Sequence, residues 1–164
     1  MIVTDCTGSC KSNYHTIITT TAPIYILNIS TNKYICHFSV ALTACSNSET
    51  VVVGDIVKFP DVIINYGIQN LTLFKQTGIF TCEQKGMYIF FSSMVSLSTN
   101  GYFRWYLNNS SSVSTIYVNK HNSYQSGSGM VTVELAVGDT VSLKPYNSYI
   151  RFDSASCYTL IKIK

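Results

Sequence analysis

Charge is scarce in this chain. Charged residues make up 12% of its 164 residues, against 46% hydrophobic ones. Eleven Lys and Arg against eight Asp and Glu give a formal charge of +3, scattered singly with no basic run. That scatter excludes the basic stripe a nucleic-acid backbone requires. Long apolar runs are also missing: Met87 to Phe91 is among the longest, far short of a membrane span. No window repeats apolar residues at helical spacing over about ten residues, which predicts little helix. Neither a fixed-period repeat nor a Gly-X-Y tract occurs.

Catalytic constellations are missing too. His15, His37 and His121 have no Glu or Cys at metal-ligand spacing, and H-E-x-x-H and G-x-S-x-G are absent. Cys6-x-x-x-Cys10 has one residue too many for a thioredoxin-like pair and no βαβ setting. The expectation is a binding module and not an enzyme. Met1-Ile-Val-Thr-Asp lacks the basic start and apolar stretch of a signal peptide. Either the chain is a mature form with an added Met, or export is the wrong inference.

What is present points to an oxidising, extracellular setting and to β structure. The even set of cysteines, Cys6, Cys10, Cys36, Cys45, Cys82 and Cys157, favours disulfides without fixing their pairing. Cys82 and Cys157 read as disulfide-bonded or buried, and Cys6 and Cys10 as free to bridge within the chain or to another. Sequons at Asn28, Asn70, Asn108 and Asn109 are candidate glycosylation sites.

Thr16 to Ser30, broken by Pro23, reads as short or edge strands. Phe38 to Thr43 and Val51 to Val57 are further strands, and Lys75 to Gly78 a turn. Met87, Ile89 and Phe91 fall on one side of an extended segment, with Tyr88 and Phe90 on the other, which predicts a strand covered on both faces. Phe103, Trp105 and Leu107 alternate with Tyr102, Arg104 and Tyr106, a half-buried strand with a polar-tipped aromatic outer row. Val131, Val133 and Leu135, the turn Gly138-Asp139, then Val141 and Leu143 predict a hairpin. Ile161 and Ile163 close the pattern. Many short strands without helices between them predict an all-β sandwich or barrel.

Four segments, in order, carry a family resemblance. Phe38-Ser-Val-Ala-Leu-Thr43 is similar to an opening F-S-x-x-L strand, and Phe59-Pro-Asp-Val-Ile-Ile-Asn65 fits a Phe-to-Asn spacing. Thr77-Gly-Ile-Phe80, Cys82 and Gly86-Met-Tyr88-Ile-Phe90 fit T-G-x-F-x-C-x-x-x-G-x-Y-x-F. Gly129 to Leu143 is similar to G-x-V-x-x-L-x-x-G-D-x-V-x-L in its late hairpin, with one residue more between Val131 and Leu135. Together they resemble the globular C1q domain family, C1q/TNF-like, and most nearly its collagen-less secreted lectins of molluscs. Two departures stand out: extra residues after Asn65-Tyr-Gly67, and Thr159-Leu160 where the family has Gly-Phe.

The resemblance implies a ten-stranded antiparallel jelly-roll sandwich packed as a homotrimer, with 36–164 as the globular domain and 1–35 as an extension of short β segments and two cysteines. Surplus aromatic area would be covered by self-association, with Tyr88 and Phe90, or Tyr102 and Tyr106, as the interface candidates. The resemblance allows calcium, carried by some members near the trimer apex, although carboxylates here are few and isolated. The implied role is a secreted lectin or pattern-recognition protein that binds glycans or microbial surfaces. An adhesive matrix protein and a TNF-like receptor ligand are the alternatives. Candidate ligand residues lie in two loops, Tyr146, Asn147, Tyr149, Arg151 and Asp153 in one, and His121, Asn122 and Tyr124 in the other.

Overall fold

The computed structural model describes residues 39–47, 49–96, 101–118, 123–146 and 149–163. The expected strands of Thr16 to Ser30, the 1–35 extension, and Cys6, Cys10, Cys36, Asn28, His121, Asn122 and Asn147 lie outside the described residues.

Among the described residues, eleven strands and one short helix follow in chain order: β1 Ala41–Cys45, β2 Glu49–Val52, β3 Asp61–Tyr66, α1 Leu71–Thr77, β4 Phe80–Thr81, β5 Gly86–Ser96, β6 Gly101–Leu107, β7 Ser111–Val118, β8 Gln125–Leu135, β9 Thr140–Pro145, β10 Tyr149–Phe152 and β11 Cys157–Lys162. They form two antiparallel sheets. In the seven-stranded sheet β8 runs along the whole of β5, the far side of β5 pairs β11 and then β10, and β11 continues through β1 to β3. The four-stranded sheet has the order β4-β9-β6-β7. The all-β jelly roll read from the sequence is the fold observed.

The core is where the inward rows of the two sheets meet. Burial alternates along β5, with Tyr88, Phe90 and Met94 fully buried. Tyr88 and Phe90 therefore cannot be an intermolecular surface, which corrects one of the two expected interfaces. Both rows of β5 are apolar, so period two alone does not say which row turns inward. Packed rings decide it: Phe80 lies 5.5 Å from Tyr88 and 5.7 Å from Phe90, and Trp105 5.8 Å from Phe90. Tyr158 of β11 sits at the centre, with Phe59, Phe74 and Trp105 at 5.2, 5.4 and 5.4 Å. Its burial holds the phenol well above its ordinary titration range.

The residues after Gly67 depart from the expected pattern because they form α1. Seven residues are too few to register as a helical period. Glu83 accepts the backbone N–H groups of Gln69 and Asn70 at 2.8 Å each, which fixes the approach to the helix. Phe74 is its buried residue. Gly78, expected as a turn, ends it in the left-handed region at φ 71°, its N–H donating to the Phe74 carbonyl at 2.7 Å.

One edge of the sandwich is nearly closed, because β7 lies directly against β8 at two glycines. A Cβ at Gly129 would stand 2.7 Å from Ile116 Cγ1, and one at Gly127 would press into the Tyr117 carbonyl oxygen. A side chain end can give way, but a backbone carbonyl can move only if β7 shifts against its partner β6. Gly127→Ala is therefore expected to cost about 1–3 kcal/mol in chemical denaturation. An unchanged midpoint would show that the strands are not in this contact.

The expected Gly138-Asp139 turn joins β8 to β9. Asp139 accepts hydrogen bonds from Asn108 Nδ2 at 2.9 Å and from the Ala136 N–H at 2.8 Å, and these hold its carboxyl below the usual range, Asn108 foremost. A depressed folded-state value means the contribution is complete above the ordinary carboxylate range and is lost as pH falls through the folded value. Asp139→Asn should lower stability at neutral pH and converge on the parent under strongly acidic conditions. Parallel stability-against-pH curves for the two proteins would rule this out.

Candidate binding face and loops

The outer side of the four-stranded sheet is built from three consecutive cross-strand rows. In the first, Tyr102 of β6 pairs Tyr117 of β7, and the Tyr146 N–H donates to the Tyr102 carbonyl at 2.8 Å. The Tyr102 and Tyr117 rings meet edge to face at 4.8 Å. In the second, Arg104 lies between Lys144 of β9 and Thr115 of β7. In the third, Tyr106 lies between Ser142 and Ser112. Alternation along β6 sends Phe103 and Trp105 into the core and leaves this row outside, as the sequence pattern requires.

Both cations rest on tyrosine. The Arg104 guanidinium carbon is 3.4 Å from the Tyr146 ring centroid, and Lys144 Nζ is 5.3 Å from that of Tyr106. Lys144 also donates to Asn109 Oδ1. Tyr146 and Tyr117 remain 52% and 62% exposed, so a ligand can reach their rings.

The two expected ligand loops are placed differently. Tyr146 belongs to this face. Asp153 instead shapes the turn between β10 and β11: its Oδ1 accepts the Ala155 N–H at 3.0 Å, and its carbonyl accepts that of Ser156 at 2.9 Å. Tyr124 is exposed just ahead of β8. Tyr149 and Arg151 stand in β10, paired by backbone with Val52 and Thr50. No hydrogen bond or ring contact joins Tyr146, Asp153 and Tyr124 among the described residues.

Sequence reading missed Tyr117 and the meeting of Arg104 with Lys144. Alternation in Ser111–Val118 signals the first. The second depends on strand register alone.

Cys45 and Cys157 form a disulfide between directly paired residues of β1 and β11. Cys82, a disulfide candidate, is instead a free, buried thiol that donates to the Gln84 carbonyl at 3.2 Å. Tyr88 donates to the same carbonyl at 2.6 Å, and burial, then the Cys82 contact, raises its phenol above the ordinary range. Among the sequons, Asn70 is exposed beside α1. Asn108 bonds Asp139 and the Thr140 N–H, and Asn109 bonds Lys144. Among the described residues no three His, Cys, Asp or Glu side chains converge on a metal position.

Two antiparallel sheets with this strand order define a jelly-roll sandwich, and its solved likenesses carry the same fold. The globular domain of zebrafish complement 1qA protein matches with a TM-score of 0.62 at 19% identity, covering 76% of this chain and 98% of that one. Eiger TNF from S. frugiperda matches at 0.59 and 10% identity, covering 78% and 94%. Murine APRIL at pH 5.0 matches at 0.59 and 12% identity, covering 75% and 98%. A search of curated proteins by sequence finds no significant match. The C1q domain model matches residues 37–159, and the chain belongs to the C1q domain family.

Proposed function

We propose that this protein is a secreted, trimeric, lectin-like pattern-recognition protein that holds glycans or microbial surface polysaccharide through repeated weak contacts and performs no catalysis. The observation that carries the reading is the exposed tyrosine face of the four-stranded sheet. Tyrosine rings offer flat apolar area to the C–H faces of sugars, and their hydroxyls serve sugar hydroxyls. Family membership and the Cys45–Cys157 disulfide support an extracellular site. No helix among the described residues is long and apolar enough to cross a membrane.

The opposite sheet supports self-association. A single row across its outer side runs Met130, Phe91, Thr159, Thr43, Ile64, and the adjacent row runs Thr132, Ile89, Ile161, Ala41, Tyr66. Phe91, Met130 and Ile64 are 42%, 62% and 52% exposed. Contiguous apolar area of this kind is what a second copy covers. Three copies turn weak single-site binding into useful avidity on a repeating surface.

Sedimentation and a glycan and bacterial-surface panel, with and without calcium, test the reading. Trimers are expected, and Phe91→Asp with Met130→Asp should give monomers that bind such surfaces at least about a hundredfold more weakly. A wild-type monomer at high concentration, or no saccharide binding in either condition, would overturn it. A TNF-like receptor ligand predicts instead saturable binding to one cell-surface protein without competition by sugars.

A further inference from the structure

Arg104 and Lys144 are direct backbone partners in the β6–β9 ladder, and from that shared row Arg104 reaches back to Tyr146 while Lys144 reaches forward to Tyr106 and Asn109, so two cations lie along the outer face. None of β4, β6, β7 and β9 contains an Asp or Glu that could neutralise them. Like charges directly opposite across a ladder are unfavourable. The two side chains turn apart, and these strands hold no carboxylate for either, so a bound anion would meet no competing acid within them. Arg104 Nε is buried without a hydrogen-bond partner among the described residues, and its guanidinium is held over the Tyr146 ring, so its outer amino groups are the ones a ligand would meet. A fixed guanidinium with donors to spare suits a carboxylate, which it takes through parallel N–H bonds, and a neighbouring ammonium adds a point charge.

The cations are bordered by tyrosines on both sides, Tyr102, Tyr117 and Tyr146 in one row and Tyr106 in the other. Alternating ring and charge along a sheet matches a chain of sugar rings that carry carboxylates. We infer that this face binds an acidic saccharide of the uronate type, with Arg104 and Lys144 on carboxylates of successive sugars and Tyr102, Tyr117 and Tyr146 against the rings. The inference rests on the glycan-binding reading and names its ligand class. Two cations are too few to track a nucleic-acid backbone, which needs a longer basic stripe.

The test uses the assembled protein over immobilised polygalacturonate, its methyl ester, a neutral glucan and single-stranded DNA. Polygalacturonate should bind, weaken as salt rises, and be preferred over its methyl ester by roughly tenfold or more. Arg104→Gln with Lys144→Gln should abolish that preference, and Arg104→Lys, which keeps the charge without the planar fork, should retain part of it. Comparing acid with ester on the wild type keeps the test independent of how any variant folds. Equal binding of acid and ester, undiminished binding by the double variant, or DNA bound as tightly as polygalacturonate would each overturn the inference. Retention of the neutral glucan alone would overturn it while leaving the glycan-binding reading intact; retention of no saccharide removes that reading itself.

Discussion

Replacing Cys45 and Cys157 together by serine is expected to lower the unfolding free energy by about 2–5 kcal/mol. The bridged residues are 112 apart in sequence, so the bond removes a very large share of the unfolded chain's freedom. In the folded protein the same residues already face each other in the β1–β11 ladder, so serine there should disturb the native state little. Both side chains are half-buried on the outside of the sheet and leave no cavity in the core. The loss should therefore arise almost wholly in the unfolded state. Urea unfolding of the oxidised wild type against the double serine variant measures it, and reduction of the wild type should reproduce the variant's midpoint. Identical midpoints for all three would show that the bridge does not form or does not constrain the chain.

Trp105→Ala should cost about 3–5 kcal/mol, a large part of the roughly 5–15 kcal/mol available to a domain of ordinary stability. Trp105 is fully buried and lies 5.8 Å from Phe90 and 5.4 Å from Tyr158, so it joins β6 of one sheet to β5 and β11 of the other. Its Nε1 has no hydrogen-bond partner among the described residues. The loss on truncation is thus one of volume and contact, with no polar term. Trp105→Phe, which keeps most of the ring area, should accordingly recover more than half of the loss. Far-ultraviolet circular dichroism follows the unfolding of all three proteins once indole fluorescence is gone. A Trp105→Ala protein within about 1 kcal/mol of wild type would mean that the two sheets do not meet here.

The strands were legible because period two survives in the segments around Met87, Phe103, Val131 and Ile161, all of which lie in strands. The Gly138 turn was legible for the same local reason. What escaped reading depends on partners far away in sequence. Tyr88 and Phe90 face inward because Phe80 and Trp105 pack on them, and nothing within Gly86–Ser96 says so. The Cys45–Cys157 pairing is likewise set by the β1–β11 register. Tyr146 was readable as an exposed aromatic, but its setting was not: Arg104 reaches it from a strand some forty residues earlier. The helix α1 was missed because its one buried residue, Phe74, leaves no repeat to detect.

The adjacency of β1 and β11 has a topological consequence. The Lys162 N–H donates to the Val40 carbonyl at 2.9 Å, so the two flanks of the described domain meet at one point. With residues 1–38 removed, a short linker from Ile163 to Ser39 would close the described backbone into a ring. Opening that ring at Val137, 68% exposed in the β8–β9 turn, would give a circular permutant that retains the described strand pairings while changing the order in which the strands are synthesised.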